Sequence, residues 1–287
     1  MAGPLEMFEI VPVVETEEMR SARESAATTW RDWAARLGED FPFPLAEVAA
    51  SDALATFERA RTQNGTSPVV LGTRESLERL AVGLVPLPGG SPNGLPDAPA
   101  TEDSLASAMT LRFPDDYDAY RKAQVAAFAA QLGKLWQGGD GLPQPAEGPW
   151  PGTAGQRSDI AEVVASLGYS YADGMTNPLF VASVPTDDPA EIPAYLRYGA
   201  WNAYPPADHH VAALKSWQDR YGARLVAMTS DMVVLKVDRP VTDRSEALSL
   251  AREMYSYCPD TVEQGAGTLQ NLAASLTGSE VWTFWWD

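Results

Sequence analysis

The sequence predicts an α+β protein: a C-terminal split βαβ (ferredoxin-like) sheet with helices on one face, joined to a smaller N-terminal α/β module. Three observations predict it. The last third of the chain alternates strand and helix signals in the order β-α-β-β-α-(α)-β, which right-handed crossovers close into that sheet. Near the N-terminal end a short apolar run, Val69 to Leu71, passes through Gly72-Thr73 into a helix pattern. Two Pro/Gly-rich stretches divide the chain. The expected organisation is an N-terminal α/β module at 1–85, a linker at 86–100, connecting helices at 101–137, a second linker at 138–157 and the C-terminal domain at 158–287.

Taken in order, Phe8 to Val14 reads as a first strand. Thr16 is placed to cap a helix whose apolar face is Met19, Ala22, Ala26, Trp30, Trp33 and Leu37, with Gly38 as its stop. The two tryptophans suit a core stripe better than a ligand platform. A helix from about Ser51 buries Leu54 and Phe57, and Val69 to Leu71 is a buried strand. The next helix turns Leu77, Leu80 and Ala81 inward. A single glycine and no lysine at that strand–helix turn fail the phosphate-binding fingerprints. A long helix begins near Asp115 and runs to about Trp136, with Tyr117, Tyr120, Gln124, Phe128, Leu132 and Leu135 near one face. Ser158 caps a short helix.

Within the C-terminal domain, Leu179 to Pro185 is a strand and Asp188 to Arg197 a short helix or turn. Pro205, Pro206 and Asp208 open a helix with the stripe His210, Leu214, Trp217 and Tyr221, ended by Gly222. Two strands flank Ser230-Asp231 as a hairpin with a two-residue turn. Thr242 caps a helix whose inward face is Ala247, Leu250, Ala251, Met254 and Cys258, and Pro259 ends it. Gly267 to Leu276 is a further helix, and Val281 to Trp286 is a strongly β-forming last strand.

The composition limits the partners. A formal charge of −18, with no basic cluster, opposes binding to nucleic-acid phosphates or to anionic membranes. A basic partner is permitted, although solubility alone explains the charge. No apolar run approaches the ~18 residues of a membrane helix. The N-terminus lacks the basic and apolar regions of a signal peptide. One cysteine makes no internal disulfide framework. Together these point to the cytoplasm, and arginine and alanine usage suggests a high-GC bacterial genome.

The stretch VPTDDPAEIPAYLRYGAWNAYPPADHHVAALKSWQDRYGARLV, then REMYSYCPDTVEQG, then the ending VWTFWWD, resembles a bacterial family known as a domain of unknown function, number 4253 in its series. The resemblance runs from about Val181 to Asp287. Upstream, PVVLGTRESLERL is similar to the N-terminal part of such proteins. Relatives often read Trp-Asn-Asp-Cys-Pro where this chain has Trp201 to Pro205 without the cysteine. The resemblance implies no activity.

The chemistry is therefore read from the residues. No metal or other cofactor is expected: His209 and His210 are adjacent, about 100° apart on a helix, and a single cysteine makes no thiolate cluster. The sharpest catalytic candidates are His210, Cys258 and Asp260, a Cys-His pair oriented by a carboxylate. Against that reading, a helix C-terminus disfavours a thiolate, and Cys258 falls on the buried face. The loop carrying Tyr195, Tyr198, Trp201, Asn202 and Tyr204 is the candidate binding surface, unless those rings simply pack the loop on the sheet. Two functions follow: a non-catalytic binding or accessory protein, immunity-type among others, that engages a protein partner, or a small enzyme or small-molecule-binding protein with a cleft around His210, Trp201, Asn202 and Cys258.

Overall fold

The computed structural model describes residues 16–85, 99–133, 142–152, 158–170, 172, 174–199 and 204–286. Six strands, β1 (Leu45–Val48), β2 (Ser67–Gly72), β3 (Leu179–Val184), β4 (Ala223–Met228), β5 (Met232–Val237) and β6 (Val281–Trp285), form one sheet in the order β1-β3-β2-β4-β5-β6. Only β2 and β4 run parallel, and every other neighbouring pair is antiparallel. The helices are α1 (Glu17–Asp40), α2 (Ala53–Ala60), α3 (Arg74–Ala81), α4 (Thr101–Ala108), α5 (Asp115–Leu132), α6 (Ile160–Ser166), α7 (Ile192–Tyr195), α8 (Ala207–Tyr221), α9 (Arg244–Tyr257) and α10 (Leu269–Leu276). The α+β class is as the sequence predicts.

The ferredoxin-like strand order is not. A split βαβ unit needs β3 and β4 parallel. Here β2 lies between them, antiparallel to β3 and parallel to β4, so β3 and β4 oppose each other. The reason lies in β2 itself. All six of its residues are buried, and such a two-sided apolar strand belongs in a sheet centre. For the same reason the expected N-terminal module is not a separate layer: β1 and β2 complete the sheet begun by β3 to β6.

Helices also cover both faces rather than one. Alternate side chains of a strand point to opposite faces. Val69 and Leu71 join a core with Trp33, Leu77, Trp217 and Leu250 from α1, α3, α8 and α9. Val70 joins Val181, Val226 and Val234 under Phe57 of α2 and Val164 of α6.

A side chain from α3 ties the N-terminal strand to the hairpin. Gly72 has φ +83°, which turns the chain from β2 into α3. The Ser76 hydroxyl then donates to the Leu71 carbonyl at 2.6 Å and accepts from the Ser230 amide at 2.8 Å. The hairpin turn is the expected one. Thr229 N–H donates to the Met232 carbonyl at 2.8 Å, and the Thr229 hydroxyl bonds Asp231 at 2.8 Å.

Trp217 is the aromatic hub of the larger core. It is stacked on Phe284 of β6 at 5.2 Å and meets Tyr257 and Phe113 edge-on at 5.1 Å and 5.2 Å. The last strand lies within the sheet, with Trp282, Phe284 and Trp286 buried.

Local expectations are refined at the ends. Helix α8 closes at Gly222 with φ +61°. Asp243 and Asp159, rather than Thr242 and Ser158, cap α9 and α6, because their carboxylates accept two backbone N–H groups each. Gly38 does not stop α1, which continues to Asp40. Within α5 only Tyr117 of the expected face is buried, and Phe128 is 52% exposed. The sequence gives no sign of β1 or the π-helical turn Thr261–Ala266, and α4 lies in the stretch 101–137 expected to hold connecting helices. The expected strand at Phe8 to Val14, the side chains of Met19, Ala22 and Ala26, residues 86–98, and Leu135 and Trp136 lie outside the described residues.

Two substitutions test this account. A Cβ at Gly72 would stand 2.9 Å from Ser76 Oγ and 3.0 Å from Thr229 Cγ2. Gly72→Ala is therefore expected to cost about 1–3 kcal/mol, and unchanged denaturant unfolding would refute the crowding. Trp217→Ala is expected to cost about 3–5 kcal/mol. A midpoint like wild type would show that the aromatic hub is dispensable.

Candidate functional site

Helix α8 presents two histidines in succession, and their rings diverge. His209 sits between Tyr117 and Tyr120 of α5, at 5.3 Å and 5.0 Å. His210 points into the core, 4.9 Å from the Tyr198 ring, 5.3 Å from Tyr257 and 5.8 Å from Trp286. Among the described residues no three His, Cys, Asp or Glu side chains gather as metal ligands would.

The loop before α8 closes over His210. Tyr198 and Tyr204 are both buried and meet edge-on at 5.7 Å. Tyr204 stacks on Trp286 at 4.6 Å, and its hydroxyl donates to the Ser230 carbonyl at 2.9 Å. Gly199 lets the loop approach. A Cβ there would fall 1.9 Å from the Pro205 carbonyl oxygen and 3.1 Å from His210 Nε2. Its φ of +105° suits glycine alone. Tyr195 lies apart, edge-on to Phe43 at 6.4 Å. Trp201 and Asn202 lie outside the described residues.

The protonation states follow from burial. His210 Nδ1 lies 2.6 Å from the Tyr257 hydroxyl. Burial raises the Tyr257 pKa well above its usual value, so the phenol keeps its proton and the hydroxyl and Nδ1 share one hydrogen bond. Burial, and secondarily His209, lowers His210 to about 3. The imidazole is thus neutral.

Cys258 follows Tyr257 but turns elsewhere. Its thiol donates to the Trp285 carbonyl at 2.8 Å. Burial pushes its pKa up to about 12, and the Asp260 carboxylate adds to the rise. Asp260 precedes the turn Thr261–Ala266, whose first hydroxyl donates to the Cys258 carbonyl at 2.7 Å. Among the described residues no hydrogen bond joins the Cys258 thiol to His210, so the expected Cys-His pair is not formed.

The structure thus brings Tyr198, Tyr204 and His210 together with Tyr257 and Trp286, which sequence reasoning did not single out. Tyr257 had a signal: it lies three residues after Met254 and seven after Leu250, on the same face of α9. Trp286 had none beyond the aromatic ending. Chemically, the cluster holds neutral groups in a packed aromatic environment. It fastens the loop and the last strand to α8 and α9.

Both titrations are testable. Cys258 is expected to resist iodoacetamide in the native state and to react once the chain is denatured. Rapid native alkylation would overturn the buried thiol. His210 is protonated near pH 6.5 when unfolded and at about pH 3 when folded, so stability is lost as pH falls between those limits. The loss is up to about 1.4 kcal/mol per pH unit. The stability difference between wild type and His210→Phe is expected to narrow over that window. A constant difference would show that the folded imidazole takes up a proton.

No curated protein and no solved structure matches the chain. Residues 180–287, well under half of the sequence, match the model of a family described as "Domain of unknown function (DUF4253)", which names no activity. The resemblance carried by the sequence motifs is borne out for that part: from Phe180 in β3 onward, the chain is similar to the DUF4253 domain.

Proposed function

We propose that this chain is a non-catalytic binding or accessory protein, of which an immunity-type role is one form, and that it engages a protein partner. One observation carries the reading. The two side chains best suited to catalysis, Cys258 and His210, are both buried in neutral forms, with the thiol bonded to a main-chain carbonyl. A nucleophile needs the reverse: an accessible, depressed thiol beside a base. The charge of −18 favours a basic partner surface over phosphate or anionic lipid. We also propose a bacterial cytoplasmic setting, with the origin taken from arginine and alanine usage and the compartment from the composition and the single cysteine. Among the described residues no helix is long and apolar enough to cross a membrane.

The alternative, a small enzyme or small-molecule-binding protein built around His210, Trp201, Asn202 and Cys258, has one observation in its favour. The buried Nε2 of His210 makes no hydrogen bond. An unpartnered imidazole nitrogen in that position would suit a polar ligand atom.

Affinity purification at native expression decides the main reading. Recovery of a stoichiometric protein partner is expected. A chain that purifies alone at every salt concentration, and stays monomeric, would remove the support for partner binding.

A further inference from the structure

The segment 142–152, LPQPAEGPWPG, runs across α9 and α10 with no helix or strand of its own. Its backbone is read at both polar groups. The Ala146 carbonyl accepts from the Leu269 amide at 2.8 Å, and the Gly148 amide donates to Gln270 Oε1 at 2.7 Å. Leu269 is the first residue of α10, so its N–H has no partner within the helix. Gly148 comes so close that a Cβ would stand 3.0 Å from Thr268 Cγ2.

Two side chains add selectivity. Glu147 pairs with Arg252 at 3.2 Å. The half-buried Trp150 packs on the main core under the Arg244 guanidinium, 4.6 Å from the ring centre. Main-chain bonds that ignore sequence, with side-chain contacts that select it, are how domains recognise extended peptides. Proline restricts the free segment and so lowers the entropy lost on docking.

The receptor groups and the strap differ in origin. Arg244, Arg252, Leu269 and Gln270 all lie within the matched domain at 180–287, and the strap lies outside it. The charge of the two arginines complements the single carboxylate of such a segment, which a partner of basic overall surface can still carry.

We propose that the α9–α10 face is a docking groove for an extended, proline-rich segment of a partner protein, with an acidic residue shortly before an aromatic one. Residues 142–152 fill it in cis as a built-in competitor. The proposal rests on the partner reading above and names the surface that reading would use. The strap must leave before the partner segment binds, so wild-type affinity is reduced by the fraction of time the groove is open.

The test uses the full chain and a fluorescein-labelled peptide of sequence LPQPAEGPWPG, followed by anisotropy. Glu147→Ala with Trp150→Ala loosens the strap without touching the groove. This variant is expected to bind the peptide at least about tenfold more tightly than wild type. Adding Arg244→Ala and Arg252→Ala is expected to abolish the gain. Equal binding by wild type and the loosened variant, or a gain that survives loss of both arginines, overturns the groove. Strand exchange between two copies, seen as a dimer of the loosened variant in sedimentation, also overturns it as a partner site.

Should the loosened variant fail to melt cooperatively, hydrogen exchange on wild type decides. The Leu269 amide is expected to exchange faster than those of β2 and to slow when the peptide is in excess. Exchange at the global unfolding rate, unmoved by peptide, overturns the proposal. Failure of these tests leaves affinity purification free to recover a partner bound elsewhere.

Discussion

The structure depends on the insertion of β2 into the centre of the sheet. Ser67–Gly72 is buried on both faces, so it has no stable place at an edge. Once it sits between β3 and β4, strands from distant parts of the sequence must share one sheet. A single hydroxyl adds to the ladder pairing that holds it there. Ser76 bonds the end of β2 and the β4–β5 turn at the same time, across a gap of 154 residues for the latter. A buried amide left without such a partner costs about 1–3 kcal/mol, so the hydroxyl is worth more than one average bond.

Burial also decides the chemistry. A thiol, an imidazole and several phenols lie near one another, and in water that set would suggest acid–base work. Inside the aromatic core each is held in its uncharged form: the thiol and phenols rise and the imidazole falls. The same residues that look reactive in a list act here as shaped, partly polar packing. The loop tyrosines serve the core too, since Tyr198 and Tyr204 face His210 and Trp286 rather than solvent. A partner would therefore meet other surfaces. The arginine-lined face of α9 and α10 already holds an extended segment of this chain.

Much of the local structure was legible from periodicity and end signals. The stripe on α8, the inward face of α9, the hairpin at Ser230-Asp231 and the aromatic last strand are written in spacing and in residue type. Helix caps were legible only to within a residue, because Thr242 and Asp243, or Ser158 and Asp159, offer similar acceptors. The carboxylate that reaches two amides is settled by backbone angle. β1 was not legible: Leu45–Val48 is a four-residue edge strand whose residues are half-buried or exposed, too short to show a period.

The sequence by itself determined the α+β class, most element types, the family resemblance of the C-terminal part and the acidic character of the surface. These depend on local pattern and composition, which are properties of a linear chain. Only the tertiary structure decided the strand order, the sharing of one sheet by both ends of the chain, and the separation of Cys258 from His210. Each of these is a choice among long-range pairings that local spacing leaves equal. Packing makes that choice, through a strand buried on two faces and an aromatic core that closes around it.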